Sequence, residues 1–187
     1  MTAADAPPDN ARTSYAPGLI AIHWITAAVF VILFAAIELR GYYPRGSATR
    51  DFLTATHKSC GMLILLLALV RINVRGWKGA PPIVPEPAIW QQRFARLTHL
   101  ILYVAMIAMP LLGWLMTSAG GHAVPFFGLT IPPIIGPDKE LAHTLEEIHE
   151  FIGNALYYVI GLHALGALVH HYVLKDDTLL RMTRPSR

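Results

Sequence analysis

Four long apolar runs separated by polar stretches organise this chain of 187 residues. A helix needs about 20 apolar residues to cross the hydrocarbon of a bilayer. The first run, GLIAIHWITAAVFVILFAAI, predicts a helix over about Gly18–Leu39, and the second, centred on GMLILLLALV, one over about Thr56–Val74. The third, LTHLILYVAMIAMPLLGWLM, predicts Arg93–Thr117 with a kink at Pro110. The fourth predicts Leu141–Leu174, long enough to project beyond the bilayer at one end. Between them, residues 40–55 are polar and basic, and residues 76–92, with APPIVPEP, form a Pro-rich link. Residues 118–140 mix Gly, Pro and aromatics and are expected to be a loop at the membrane surface. Residues 1–17 lack the charged start and cleavage site of a secretory signal, so a disordered tail and a retained first helix are expected. The fold class is an all-α membrane protein: one four-helix bundle over 18–175, with tails at 1–17 and 176–187.

Composition agrees with this pattern. Hydrophobic residues make up 54% of the chain and charged ones 14%, against about 25% charged in soluble domains. Charge placement then suggests an orientation. With four spans, the two tails and the second connector share one side. Arg40, Arg45, Arg50, Lys58 and Lys139 lie on the other, and the remaining ten Lys and Arg on the first. The positive-inside rule puts both termini in the cytoplasm. The one cysteine, Cys60, excludes an internal disulfide, and neither CxxCH haem attachment nor an iron–sulfur cluster has the thiols it needs. No nucleic-acid partner is expected.

Histidines carry the candidate chemistry, because ionisable residues inside membrane spans are functional candidates by default. His23, His57, His99, His149 and His163 lie in or at the ends of the apolar runs. His149 and His163 are fourteen positions apart, about 21 Å of helical rise and within about 40° of one face. They therefore point the same way at two depths. His57 starts a helix running in the same direction as the fourth, and His23 starts one running the opposite way. Depth thus pairs His57 with His149 on the outer side and His23 with His163 on the inner side. Each pair can supply two axial imidazoles to one haem iron. Gly61, Gly153 and Gly166 follow His57, His149 and His163 by about one turn and leave room for a flat macrocycle; membrane helices also use glycine simply for packing. Zinc, the competing metal, would be short of ligands at a two-histidine site. His99 fits neither pair and is expected to make a propionate or packing contact, and His122 and His143 to be solvated.

At these residues the chain resembles the bacterial cytochrome b561 family. The similarity runs from Leu19 to Met182, through IHW at His23, ELRGYYPR, THKSCG at His57, VPFFGLTIP, IHEFIGNALYYVIGLHALGALVHHY and KDDTLLRM. It is most similar to the branch of membrane-bound superoxide oxidases, the superoxide:ubiquinone oxidoreductases. The resemblance implies two non-covalent b haems, a four-helix bundle in the bacterial inner membrane, and one-electron transfer across it. By position, His23, His57, His149 and His163 match the family's axial ligands.

Each end of such a route needs a reaction partner. Arg40, Arg45 and Arg50, with Lys58, either neutralise haem propionates or draw the superoxide anion toward the outer haem, and the two roles are compatible. On the cytoplasmic side, His170 is placed to relay protons to ubiquinone, with Tyr172 and Lys175 nearby; its alternative role, shared with His171, is interfacial anchoring. The expected activity is oxidation of superoxide at the periplasmic face and reduction of ubiquinone with cytoplasmic protons. The alternative is an electron-carrier cytochrome b subunit that links a partner dehydrogenase or hydrogenase to the quinone pool.

Overall fold

The computed structural model describes residues 14–184. The expected tail positions before Ser14 and after Arg184 lie outside the described residues. Helix α1 spans Pro17–Arg40, α2 Ala48–Lys78, α3 Ile89–Ala119 and α4 Lys139–Val169. A π-helical turn, His170–Leu174, prolongs α4. All four helices are long and apolar enough to cross a membrane. Large apolar side chains such as Val31, Phe151 and Tyr158 stand at 70%, 76% and 81% exposure, which suits helices whose outer surfaces meet lipid chains.

Pro17 opens α1 at a position where a missing N–H costs nothing. Helix α2 begins eight residues earlier than its apolar run, because the Ser47 hydroxyl caps it by accepting from the Arg50 N–H at 3.3 Å. Its polar first two turns stand above the apolar run, so the basic connector is only residues 41–47. Pro110 lies buried inside α3, and the helix continues through it.

The surface loop contains more order than expected. Strand β1 (Val124–Phe126) pairs antiparallel with β2 (Leu129–Ile131). Two residues close the hairpin, Phe127 at φ 48° and Gly128 at φ 87°, the positive-φ pair of a type I′ turn. The Ser59 hydroxyl ties this hairpin to α2, donating to the Pro125 carbonyl at 3.1 Å and accepting from the Phe127 N–H at 3.3 Å.

The two ends of the bundle are thereby distinct. The hairpin and residues 41–47 occupy one end. At the other, Tyr15 N–H donates to the Arg181 carbonyl at 3.2 Å, and Trp24 Nε1 donates to the Met182 carbonyl at 2.7 Å. Asp177 exchanges hydrogen bonds with Val84 at 3.1 and 2.9 Å, and the buried Arg181 donates to the Pro81 carbonyl. The segment after α4 is therefore a clasp, through Arg184, that joins the start of α1 to the α2–α3 link. Helices α1 and α2 pack along each other, as do α3 and α4, and α2 meets α3. A core of Val29, Leu33, Cys60, Ile64, Ala68 and Met106 binds the first three helices. Helix α4 buries only Leu156. It meets α1 through His163 beside His23 and through Tyr157, which lies against Phe34 and donates to Glu38 Oε1 at 2.7 Å. It meets α2 through His149 beside His57.

Candidate functional site

The structure brings the sequence-selected histidines together as two couples at two levels. Toward the hairpin end, the His57 and His149 ring centres are 6.2 Å apart at an interplanar angle of 71°. Toward the terminal end, those of His23 and His163 are also 6.2 Å apart, at 80°. A metal–imidazole bond of about 2.0–2.1 Å, plus roughly 1.1 Å from nitrogen to ring centre, puts two trans imidazole centres about 6.2–6.4 Å apart. Both couples match that separation. His99 also approaches His163, with centres at 5.3 Å, closer than trans ligation through one iron allows. Among the described residues no group of three His, Cys, Asp or Glu side chains is arranged to hold a metal ion; His57 and His149 stand as a pair, while at the other level His99 adds a third imidazole beside His163.

The upper couple, His57 and His149 at the hairpin end, lines a cavity of about 350 Å³. Its walls include Phe34, Met106 and Met109, and Arg40, Lys58, Glu146 and Glu150 also border it. Apolar walls beside a charged border suit a porphyrin with two carboxylates. His57 Nδ1 lies 3.2 Å from the Leu33 carbonyl. That contact places the ring N–H on Nδ1 and leaves Nε2 bare, the tautomer that binds a metal. His149 Nδ1 is buried without a hydrogen-bond partner among the described residues.

Glycines shape the cavity. A Cβ on Gly61 or Gly153 would meet only Leu33 Cδ1 at 4.0 Å or Met109 Cε at 3.8 Å. These are ordinary contacts, so packing within the chain does not demand glycine there, whereas a flat ring lying on the helix does. A Cβ on Gly166 would meet nothing within 4 Å. Gly113 is a site residue that the sequence reasoning missed. Its missing Cβ is what admits the His149 ring, whose Cε1 would sit 3.3 Å away. A usable signal exists: Gly113 follows His99 by the same fourteen positions that separate His149 from His163.

The cationic residues divide by position. Arg40 and Lys58 border the cavity. Arg50 donates to the carbonyls of Arg40 and Tyr43, both at 3.0 Å, and so holds the connector in shape. Arg45 is exposed and does not border the cavity. His143 is solvated beside Glu147, at 3.6 Å, and His122 is exposed. At the terminal end, His170 Nδ1 meets Asp176 Oδ2 at 2.5 Å. Asp176 Oδ1 accepts from the Thr178 N–H at 2.9 Å. Burial pushes the Asp176 carboxyl up, but the hydrogen bonds from His170 and Thr178 outweigh it and hold the group below its ordinary range.

The chain matches the family described as prokaryotic cytochrome b561 over residues 14–185. It is 39% identical over 163 residues to cytochrome b561 homolog 1 of Escherichia coli (strain K12), covering 87% of this chain and 93% of that protein. It is 40% identical over 168 residues to the probable superoxide oxidase CybB of Yersinia pestis, covering 90% and 94%. Cytochrome b562 of Cereibacter sphaeroides is 30% identical over 174 residues, covering 89% and 92%. The chain belongs to the prokaryotic cytochrome b561 family of multi-pass bacterial membrane proteins, which bind b-type haem and transfer electrons.

Proposed function

We propose that this chain is a two-haem superoxide:ubiquinone oxidoreductase of the bacterial inner membrane. The observation that carries the reading is the repetition of one geometry at two depths, two imidazole couples each at 6.2 Å. His57 and His149 would hold the outer haem, with Gly61 and Gly153 leaving room beside them, and His23 and His163 would hold the inner one. A b haem held by two imidazoles accepts and gives one electron at a time without binding substrate at its iron. The excess of Lys and Arg on the terminal side favours an orientation with that end in the cytoplasm and the hairpin end in the periplasm.

The chain's own residues then divide the work. Arg40 and Lys58 border the outer cavity and concentrate a small anion there, with Arg45 adding to the same field from the exposed loop. Two superoxide ions release two electrons and leave two molecules of oxygen. At the cytoplasmic end, ubiquinone takes those two electrons and two protons to become ubiquinol. His170 passes protons from its Nε2 while Asp176 holds its Nδ1. The relative named a probable superoxide oxidase, alike over nearly its whole length, favours superoxide as donor.

The test uses the purified chain in detergent with enzymatically generated superoxide and a ubiquinone analogue, and no other protein. Haem reduction followed by ubiquinol formation, at two superoxide ions per quinone, supports the reading. Haems that stay oxidised until a dehydrogenase or hydrogenase partner is added would identify an electron-carrier subunit instead.

A further inference from the structure

The inner histidine couple carries a contact that the outer one lacks. Arg71 Nη1 lies 2.8 Å from His23 Nδ1, and its guanidinium sits over the Tyr103 ring, 5.8 Å from the centroid. Arg71 directly follows the apolar run of α2 and is half-buried. Among the described residues it has no carboxylate partner, since the ion pairs there involve His143, His170 and Arg181. The hydroxyl of Tyr103 is buried without a hydrogen-bond partner among the described residues.

Position repeats the two-level plan of the bundle. His57 and Arg71 are fourteen residues apart on α2, as are His149 and His163 on α4 and His99 and Gly113 on α3. Helices α2, α3 and α4 thus each turn one face to the upper level and the same face to the lower. At the lower level α2 contributes a cation.

The Arg71–His23 contact is chemically incompatible with ligation through Nε2. A guanidinium only donates, so His23 Nδ1 must accept, and the ring proton then occupies Nε2. A ligating imidazole needs Nε2 bare and its proton on Nδ1, facing an acceptor, as His57 has in the Leu33 carbonyl. At His23 that proton would face another donor. Ligation therefore requires the Arg71 head to leave Nδ1, and a charge inside a span requires an anion to receive it. A b haem brings two carboxylates.

We propose that Arg71 is the propionate-binding residue of the inner haem site, its guanidinium pairing with a haem carboxylate when His23 ligates. The fork of the guanidinium suits bidentate pairing with a carboxylate, and the Tyr103 hydroxyl is placed to donate to the same group. This rests on the two-haem reading above. A lipid phosphate offers similar chemistry, and the test separates the two sources.

The experiment uses the full chain carrying His149→Ala, whose remaining haem is the inner one. Its apoprotein in detergent is titrated with haem and with haem dimethyl ester, followed by the Soret band. Haem binds at least tenfold more tightly than the ester. Adding Arg71→Gln cuts that preference to threefold or less, and Arg71→Lys keeps most of it. In parallel, Arg71→Gln lowers the reduction equilibrium of the inner haem at least tenfold, 59 mV for one electron, because a cation favours the reduced centre. Equal affinity for haem and ester in the Arg71-bearing chain overturns the proposal, as does a preference undiminished by Arg71→Gln, which would leave Arg71 to a lipid. Should the Gln variant fail to fold, the haem–ester comparison decides alone. A His149→Ala chain that takes up two haems, or none, fails the two-haem reading itself and removes this proposal with it.

Discussion

Replacing Gly113 by alanine places a Cβ 3.3 Å from Cε1 and 3.7 Å from Nδ1 of His149. The first distance is tighter than ordinary contact, so the imidazole must retreat by a few tenths of an ångström from its place opposite His57. Overpacking of this kind costs about 1–3 kcal/mol, and about 1.4 kcal/mol is a factor of ten in affinity. The outer site should therefore bind haem about 5- to 150-fold more weakly, while the inner site keeps its affinity. In the apoprotein no ligand bond fixes the imidazole, so the ring gives way at little cost and the advantage of alanine over glycine inside a helix, up to ~1 kcal/mol, dominates. The assay is reconstitution of wild type and Gly113→Ala with haem, read as two Soret binding phases, beside thermal unfolding of both apoproteins. One weakened phase together with an apoprotein Tm equal to or above wild type is the expected pair of results. Two phases within twofold of wild type would refute the role given to Gly113 and the placement of His149 as a ligand.

Two further perturbations test the ends of the bundle. Arg40 borders the outer cavity and Arg45 does not, so Arg40→Ala should slow superoxide-driven haem reduction about 3- to 10-fold at low ionic strength and Arg45→Ala less, with both gaps closing as salt is raised; stopped-flow rates that stay apart in high salt would contradict steering. At the other end, the Asp176 carboxyl is held below its ordinary 3.8 in the folded chain, so it adds stability above its unfolded value that is lost as the pH falls through the folded one. Hydrogen-exchange protection of residues 176–184 should therefore decline in acid below about pH 4 in wild type, and Asp176→Asn should be weaker at neutral pH and lack that decline.

The helices were legible because a bilayer span imposes a length that hydropathy reads directly. Their ends were not, because capping lies outside an apolar window: Ser47 starts α2 in a stretch containing Thr49, Arg50 and Asp51. The hairpin at 124–131 leaves little trace in the sequence because its turn is Phe127–Gly128, without the Asn or Asp that usually signals a type I′ closure. Fourteen-residue spacing placed His149 and His163 on one face, and the partners follow from helix direction. The same spacing holds for His57 with Arg71 and His99 with Gly113, yet in the sequence Arg71 reads as one more basic residue at a span end and Gly113 sits on a helix that supplies no member of either couple. Arg45 and Arg50 show the converse. Composition put four cations in one region, and only the folded connector reveals that Arg50 is spent on two carbonyls while Arg40 and Lys58 reach the cavity.

Haem stoichiometry tests the pairing of imidazoles most directly. Pyridine haemochrome analysis of the purified chain is predicted to give two b haems per polypeptide, falling to one in His149→Ala with the His23–His163 site still filled. A single haem in the wild type, or two retained in His149→Ala, would contradict it.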